Sequence, residues 1–386
     1  MKFWDSEIKG VFEFDKSRSE LISNLEMLSN MSVQEQTLYK KWEELNSNLY
    51  QSMLHLPTYQ SYIDVVWKPT DIFDFNLTIK EINSLQPYVH IIENYEVKKW
   101  TDIRRMISSM EYTKNPGRNI KAFVKDRTTG KILGVISLSS DVVSVKVRDQ
   151  YIGWNKKNKF EDGKLNSIAM GTAIISSQPF GYNFLGGKLM AALTTSPTFR
   201  SEWKEKYGDE MIAVHTTSLY GNGSMYNSIP HFKPLGETTG MISIKPDDKV
   251  YLPWLQWIKE NYPDFYQYSV EATGPKQVML NRIFKEIGVK KSQYNHGFHR
   301  GVYFAQMYEN GNQYLCGQIS QQELQIKDKF KRGDDYTIDW WKKKAVSRYT
   351  NLFNDNKIKP ETLFYSDIIG MSWQECKDKY LSEVGR

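Results

Sequence analysis

Cysteine and long apolar runs are scarce in this chain, and each scarcity removes a class of protein. The 386 residues contain two cysteines, Cys316 and Cys376, which are far apart and form no CxxC pair. A disulfide framework and a cysteine zinc site are therefore not expected. No apolar stretch approaches the roughly 18 residues of a membrane-spanning helix, and the start, MKFWDSEIKGVFEFDK, lacks the apolar segment of a signal peptide. We expect a cytoplasmic protein without a membrane partner.

What the chain does contain is ordinary globular composition with an aromatic and basic bias. It is 40% hydrophobic and 25% charged, carries a net charge of +6, and holds 11 Trp, 24 Tyr and 18 Phe. A positive excess with many aromatic residues suits a nucleic-acid partner, so DNA is the expected partner.

The pattern along the chain predicts three regions. Residues 1–115 have apolar positions at helical spacing and are expected to be helical; LTIKEINSLQPYVHII (77–92) is predicted as one helix leading out. In 116–247 strands and helices alternate, beginning with a hairpin over 121–140, which predicts an α/β core. Residues 248–386 carry amphipathic helices and an aromatic β-hairpin candidate, GVYFAQMYENGNQYLCGQI (301–319).

A glycine-containing bend follows the apolar run SIAMGTAIISS (167–177). It reads QPFGYNFLGGKL (178–189), and a strand, glycine turn and helix in this order can leave main-chain N–H groups free for a phosphate. The candidate cofactor-binding residues are Gln178, Gly181, Tyr182, Asn183, Gly186, Gly187 and, in a later turn, Asn222.

In order, these segments are similar to the GNAT acyltransferase fold. The hairpin resembles its second and third strands, and Gln178 with Gly181 resembles its pyrophosphate loop. The resemblance implies an acyl-CoA-like donor, with Tyr226 as general acid. The chain departs from the pattern at Asn183, where the family has Gly or Ala, and at His231, where it has Gly.

A second resemblance covers about 118–240 and rests on four blocks in the same order. RDQYIGW (148–154), NFLGGKLM (183–190), EWKEKYGDEMIAVHTT (202–217) and GSMYNSIPHFKPLGETTG (223–240) are similar to the DruA family, which is named for the Druantia anti-phage system. It implies a GNAT-like mixed-sheet core, and partner proteins of a phage or defence operon. The phage DNA-modification protein Mom is a more distant comparison, and a phage origin would place the protein in the host cytoplasm.

The catalytic candidates are Tyr226, His215 and Asp149. A tyrosine stays protonated at neutral pH and can act as an acid, whereas His215 or Asp149 can accept a proton from an attacking amine. Each has a structural alternative: a buried tyrosine bonded to a carbonyl, a core histidine, and an Arg148–Asp149 ion pair that orders a loop.

Basic and aromatic residues give the nucleic-acid candidates: Arg148, Trp154, Arg300, Lys342, Lys343, Lys344 and Arg348. The last four lie in DWWKKKAVSRY (339–349), where a helix would set lysines opposite packed aromatics. A solvated amphipathic helix has the same pattern. Arg300 lies in NHGFHRG (295–301), whose glycines and lack of a third ligand argue against a metal site.

Two functions remain open on this reading. The first is a GNAT-like acyltransferase acting on nucleic acid, such as a DNA-base modification step. The second is a non-catalytic DNA-binding component of a phage defence or counter-defence system, with a degenerate ligand cleft.

Overall fold

A computed structural model of the chain describes residues 12–46, 61, 64–108, 110, 117–219, 224–238, 244–272, 275–295, 299–360 and 368–384. These residues form two compact units. The larger unit lies within Thr37–Thr239 and His299–Arg386, and the smaller within Met1–Gln36 and Gly240–Phe298. None of the helices in these described ranges is both long and apolar enough to cross a membrane.

A seven-stranded mixed sheet is the centre of the larger unit, which confirms the predicted α/β fold. Its strands are β1 (Pro87–Ile91), β2 (Asn119–Asp126), β3 (Ile132–Ser140), β4 (Ile168–Ser176), β5 (Ala213–Ser218), β6 (Lys233–Glu237) and β7 (Gly301–Gln306). Their order across the sheet is β1-β2-β3-β4-β5-β7-β6. The β4–β5 pair is parallel and the other pairs are antiparallel.

In chain order, the described helices are α1 (Phe14–Ser29), α2 (Val33–Leu45), α3 (Phe75–Ser84), α4 (Val97–Ile107), α5 (Lys146–Ile152), α6 (Phe180–Asn183), α7 (Gly186–Leu193), α8 (Pro197–Tyr207), α9 (Asp248–Asn261), α10 (Pro263–Glu271), α11 (Pro275–Glu286), α12 (Gly311–Leu315), α13 (Asp328–Lys331), α14 (Asp335–Asn354) and α15 (Trp373–Val384).

Helices cover both faces of the sheet, so the central strands are apolar on both sides. On one face, α4 packs against Phe123, Val135 and Ala173. On the opposite face, α7 packs on β3 and β4 in the main core, and α14 packs on α7. This sandwich explains why β3, ILGVISLSS, is buried along nearly its whole length.

Local signals in the sequence fix both ends of α8. Pro197 is its first residue, and the Ser196 hydroxyl accepts a hydrogen bond from the Thr198 N–H. The same helix ends at Gly208, whose φ of 75° is left-handed and suits glycine.

Helices make up the smaller unit, and α1, α9, α10 and α11 pack within it. A buried contact fixes α1 to the start of α9, since the Asn24 side-chain N–H donates to the Asp247 carboxylate at 2.7 Å. The Arg18 guanidinium donates to the Ile287 carbonyl at the end of the α11 segment.

Two local predictions are wrong. The stretch 77–92 is not one helix, because α3 ends at Ser84 and β1 begins at Pro87. The 301–319 stretch is not a hairpin, because β7 pairs with β5 and β6 and the chain then enters α12.

The predicted boundaries near 115 and 248 stay a prediction. Two strands of the sheet, β1 and β7, come from outside the segment 116–247.

Candidate functional site: a buried Asp–His pair where the sheet splits

The sheet opens between its two parallel strands. β4 and β5 pair over only three positions, ending at Met170 opposite His215. Beyond them β4 continues along β3 and β5 continues along β7. Thr172 is an extra residue in β4 relative to β3, because Gly171 pairs with Leu138 and Ala173 with Ser137. Such a bulge bends a strand locally. The split therefore begins beside His215.

His215 is paired with a carboxylate that no local sequence pattern connects to it. Its Nδ1 lies 2.7 Å from Asp141 Oδ1, and both side chains are fully buried. A carboxylate accepts the ring proton at Nδ1, so the neutral imidazole carries its lone pair on Nε2. Among the described residues Nε2 has no hydrogen-bond partner and is shielded from solvent.

Arg148 holds the other oxygen of Asp141. Its guanidinium lies 2.7 Å from Asp141 Oδ2 and 2.6 Å from Asp149 Oδ1, and it donates to the Val142 carbonyl. Lys159, on the π-helical turn Lys157–Glu161, pairs with the second oxygen of Asp149. Two carboxylates thus balance two cations, and a neutral His215 leaves the cluster without net charge.

The pKa of Asp141 is held below its usual value despite its burial. Burial alone would raise this pKa, but the opposing interactions with His215, Arg148 and the Val142 N–H outweigh it. Asp141 is therefore ionised at neutral pH and can orient an imidazole and stabilise it when protonated.

Tyr226 lies on the other side of the strand. Its hydroxyl is 3.4 Å from that of Thr216, and its ring packs on Phe232 and Tyr303. Burial raises the pKa of Tyr226 to about 12. Consecutive side chains in a strand point to opposite faces, so Thr216 with Tyr226 and His215 with Asp141 face away from each other. The structure does not bring the predicted acid and base together.

The glycine bend does not fit a pyrophosphate held by main-chain amides. The N–H groups of Gly181, Asn183 and Phe184 donate to carbonyls within the segment, and that of Tyr182 donates to the Gln178 side chain. Side chains also fill the bend: Phe180, Asn183 and Phe184 are fully buried. The acyl-CoA-like donor expected from the sequence stays a prediction.

The remaining cofactor candidates serve packing or lie elsewhere. Asn183 bridges to the main chain of Lys359, accepting from its N–H and donating to its carbonyl. A Cβ on Gly186 would meet the Phe180 ring at 2.4 Å, so this glycine allows close packing. Gly187 lies against Met225, and Asn222 lies outside the described residues.

The nucleic-acid candidates are not in one place. Arg148 is fully buried in its ion pairs, so the structure corrects its assignment to DNA contact. Trp154 is half-buried, donates its indole N–H to the Leu315 carbonyl, and stacks near Arg148. Arg300 is half-buried, and its main chain bonds to Thr238 beside β6 and β7.

The α14 candidates lie on one helix with different surroundings. Lys343 and Lys344 are exposed, whereas Lys342 donates to the Asn83 carbonyl. Arg348 lies over the Tyr182 ring. The packed aromatics Trp341 and Tyr349 are fully buried, as the pattern predicts.

Asp141 and Lys159 are the functional candidates that sequence reasoning did not find. The signal for Asp141 was its position directly after β3, where a polar residue ends a buried apolar strand. Its partners lie 7 and 74 residues away along the chain, so only the tertiary fold reveals the cluster.

The fold and this site define a mixed α/β protein with a buried Asp–His–Arg cluster at a split between parallel strands. The chain belongs to the DruA family: the family pattern described as "Druantia protein DruA" matches residues 64–317, which contain all seven strands and the cluster. A curated relative, Druantia protein DruA of Escherichia coli (strain UMEA 4076-1), is 26% identical over 221 residues, covering 52% of this chain and 53% of that protein. The chain thus spans about half the length of this relative. No solved structure gives a significant match.

Proposed function

We propose that this chain is a component of an anti-phage defence system and that its sheet provides a general base for group transfer on nucleic acid. Family membership supports the first part, because the curated relative carries the Druantia name. One observation carries the second: the buried His215 pairs with Asp141 and leaves Nε2 without a partner among the described residues. A buried polar atom without a partner is costly and is often found where chemistry occurs.

In this proposal each residue of the cluster has a separate task. His215 accepts at Nε2 a proton from the attacking amine or hydroxyl of the substrate as that atom bonds to the transferred group, and the bond between this group and its donor breaks. Asp141 holds the Nδ1 proton and stabilises the imidazolium that forms. Arg148 touches no substrate and is a positioning residue, because it fixes Asp141 from the other side. Nε2 is shielded from solvent, so the split must open when substrate binds.

Nucleic acid is proposed as the target because the chain carries a net charge of +6 and exposed lysines on α14. A cytoplasmic location suits such a target and stays a prediction. The acyl donor expected from the GNAT resemblance stays a prediction as well.

The test is mass spectrometry of nucleosides from the DNA and RNA of cells that express the chain with its neighbouring genes. We expect a nucleoside of new mass with the wild type and its loss, by at least about 100-fold, with His215→Gln. His90→Gln is the matched control, because His90 is a partly exposed histidine on β1. Equal amounts of the new nucleoside in the His215 and His90 variants would contradict the proposed base.

In the same nucleoside assay, Tyr226→Phe tests whether the second face of the sheet takes part in the reaction. Since Tyr226 faces away from His215, we expect the product to persist when the phenol is removed. Loss of product with the fold intact would show that the acid on the second face is required, and the mechanism above would need revision.

A second candidate, a non-catalytic DNA-binding component, is favoured by the filled glycine bend and the enclosed His215. Under it, His215→Gln and Asp141→Asn change stability only. Full protection against phage by both variants, at a temperature where they are folded, would support this candidate.

A further inference from the structure

Tyr182 brings together two stretches of chain that are far apart in the sequence. Its ring lies 5.1 Å from the Arg348 guanidinium of α14 and 5.0 Å from the Lys359 ammonium, which follows that helix. The bend positions Lys359 directly, because the side chain of Asn183 bonds to its main chain. The glycine bend and the basic helix therefore meet at one surface.

Two further lysines belong to the same surface. Lys188, near the start of α7, donates to the Asn227 carbonyl and the Ser228 hydroxyl. Its helix α7 packs against α14, which carries Lys344, and the pKa of Lys188 is lowered by partial burial and by repulsion from Lys344. Lys344 and Arg348 are one helical turn apart on α14, and about 6 Å separates such positions along the axis. We call the set the Tyr182 surface: Tyr182, Lys188, Lys344, Arg348 and Lys359.

The Tyr182 surface differs from other basic positions of the chain in its ion pairing. Within the part of the chain that the structure describes, none of its four cations forms a salt bridge. Exposed lysines elsewhere do: Lys204 pairs with Glu210, Lys331 with Asp328 and Lys357 with Asp355. Like charges gathered without counter-charges repel one another and favour an anion.

We propose that the Tyr182 surface binds the phosphate backbone of nucleic acid. Side-chain cations spread along a helix can contact successive phosphates, and the half-exposed aromatic ring offers a contact for a base. A pyrophosphate cofactor suits the surface less well, because the N–H groups of residues 181–184 are already bonded to the protein. The proposal shares its target with the proposed function but does not depend on the catalytic step.

The experiment measures binding of the full chain to a fluorescein-labelled single-stranded oligonucleotide of about 20 nucleotides over a range of salt concentrations. The variant is Lys344→Gln/Arg348→Gln/Lys359→Gln; Lys188 is kept because it bonds to the neighbouring loop. The control is Lys98→Gln/Lys204→Gln/Lys331→Gln, which removes the same charge from lysines that are more than half exposed.

We expect the variant to bind at least about tenfold more weakly than the control and its slope of log affinity against log salt to fall by about 2, near 0.7 per phosphate contact. Equal affinity and slope in the two variants would overturn the proposal. Coenzyme A is added as a competitor: absence of displacement is expected, and displacement would instead identify a nucleotide pyrophosphate site and overturn it. Binding is measured with His215 intact and without turnover, so a failure of the proposed catalysis leaves this result standing.

Discussion

The segments that follow two strands of the same sheet differ in how their polar groups are satisfied. After β4 the glycine bend has the composition of a ligand loop, yet the N–H groups of residues 181–184 are bonded within the protein and side chains fill the space. After β3 an inconspicuous Asp141 enters a fully buried cluster with His215 and Arg148. Polar groups that have hydrogen-bond partners stabilise a fold. Buried charges, and a buried ring nitrogen without a partner, lower the stability, and a function would explain their presence. The comparison therefore moves the candidate site from the bend to the cluster.

The largest expected effect on stability is at the cluster. Asp141→Asn removes a charge that Arg148 needs, and breaking a buried ion pair costs about 3–5 kcal/mol. Because the folded pKa of Asp141 is depressed, its stabilisation is present above the ordinary value of 3.8 and is lost as pH falls below it. Urea denaturation should show the full loss at pH 7 and a shrinking difference in acid. A loss below about 1 kcal/mol at every pH would mean that the pair is not coupled as described.

A second buried histidine sharpens the comparison, because His231 has no carboxylate partner among the described residues. Its Nε2 lies 2.8 Å from the Thr337 hydroxyl, and burial, with a smaller contribution from Lys329, lowers its pKa to about 3. Between pH 6.5 and about 3 the unfolded chain binds a proton that the folded chain does not. Stability should therefore fall as pH drops through this window, by about 1.4 kcal/mol per pH unit.

His231→Gln tests this by urea denaturation at several pH values. The variant should show a flatter dependence on pH below 6.5 than the wild type. Parallel curves for the two proteins would place the acid sensitivity at other groups.

The smallest effect expected is at the bend, where two adjacent glycines form a matched pair. Gly186→Ala puts a Cβ 2.4 Å from the Phe180 ring and 3.0 Å from Ser176 Cβ, both in packed surroundings. Overpacking of this kind costs about 1–3 kcal/mol, which exceeds the roughly 1 kcal/mol that alanine gains in a helix. Gly187→Ala meets only the flexible Met225 side chain at 3.2 Å, so its stability should stay within about 1 kcal/mol of wild type. If thermal unfolding showed Gly187→Ala to be less stable than Gly186→Ala, the bend would be a loosely packed, ligand-accessible loop.

Local patterns predicted much of the fold, and tertiary contacts determined the rest. The β2–β3 hairpin, β4, β5 and the helices after residue 247 follow from periodicity and turn residues that are visible in the chain. β1 was missed because five residues directly after a helix leave little pattern, and β7 was given the wrong partner because it pairs with residues more than 60 positions earlier. His215 was visible as a candidate, but its partner Asp141 was not, because burial of a charge depends on groups that the fold brings together.

The central claim, that the Asp141–His215 pair is the reactive centre, is tested most directly by phage plating on cells that carry the chain with its neighbouring genes. The variants are compared at wild-type expression level and at a temperature where they are folded. We expect His215→Gln and Asp141→Asn each to lose protection by at least about 100-fold, while His90→Gln retains it. Full protection by the folded His215→Gln variant would contradict the claim.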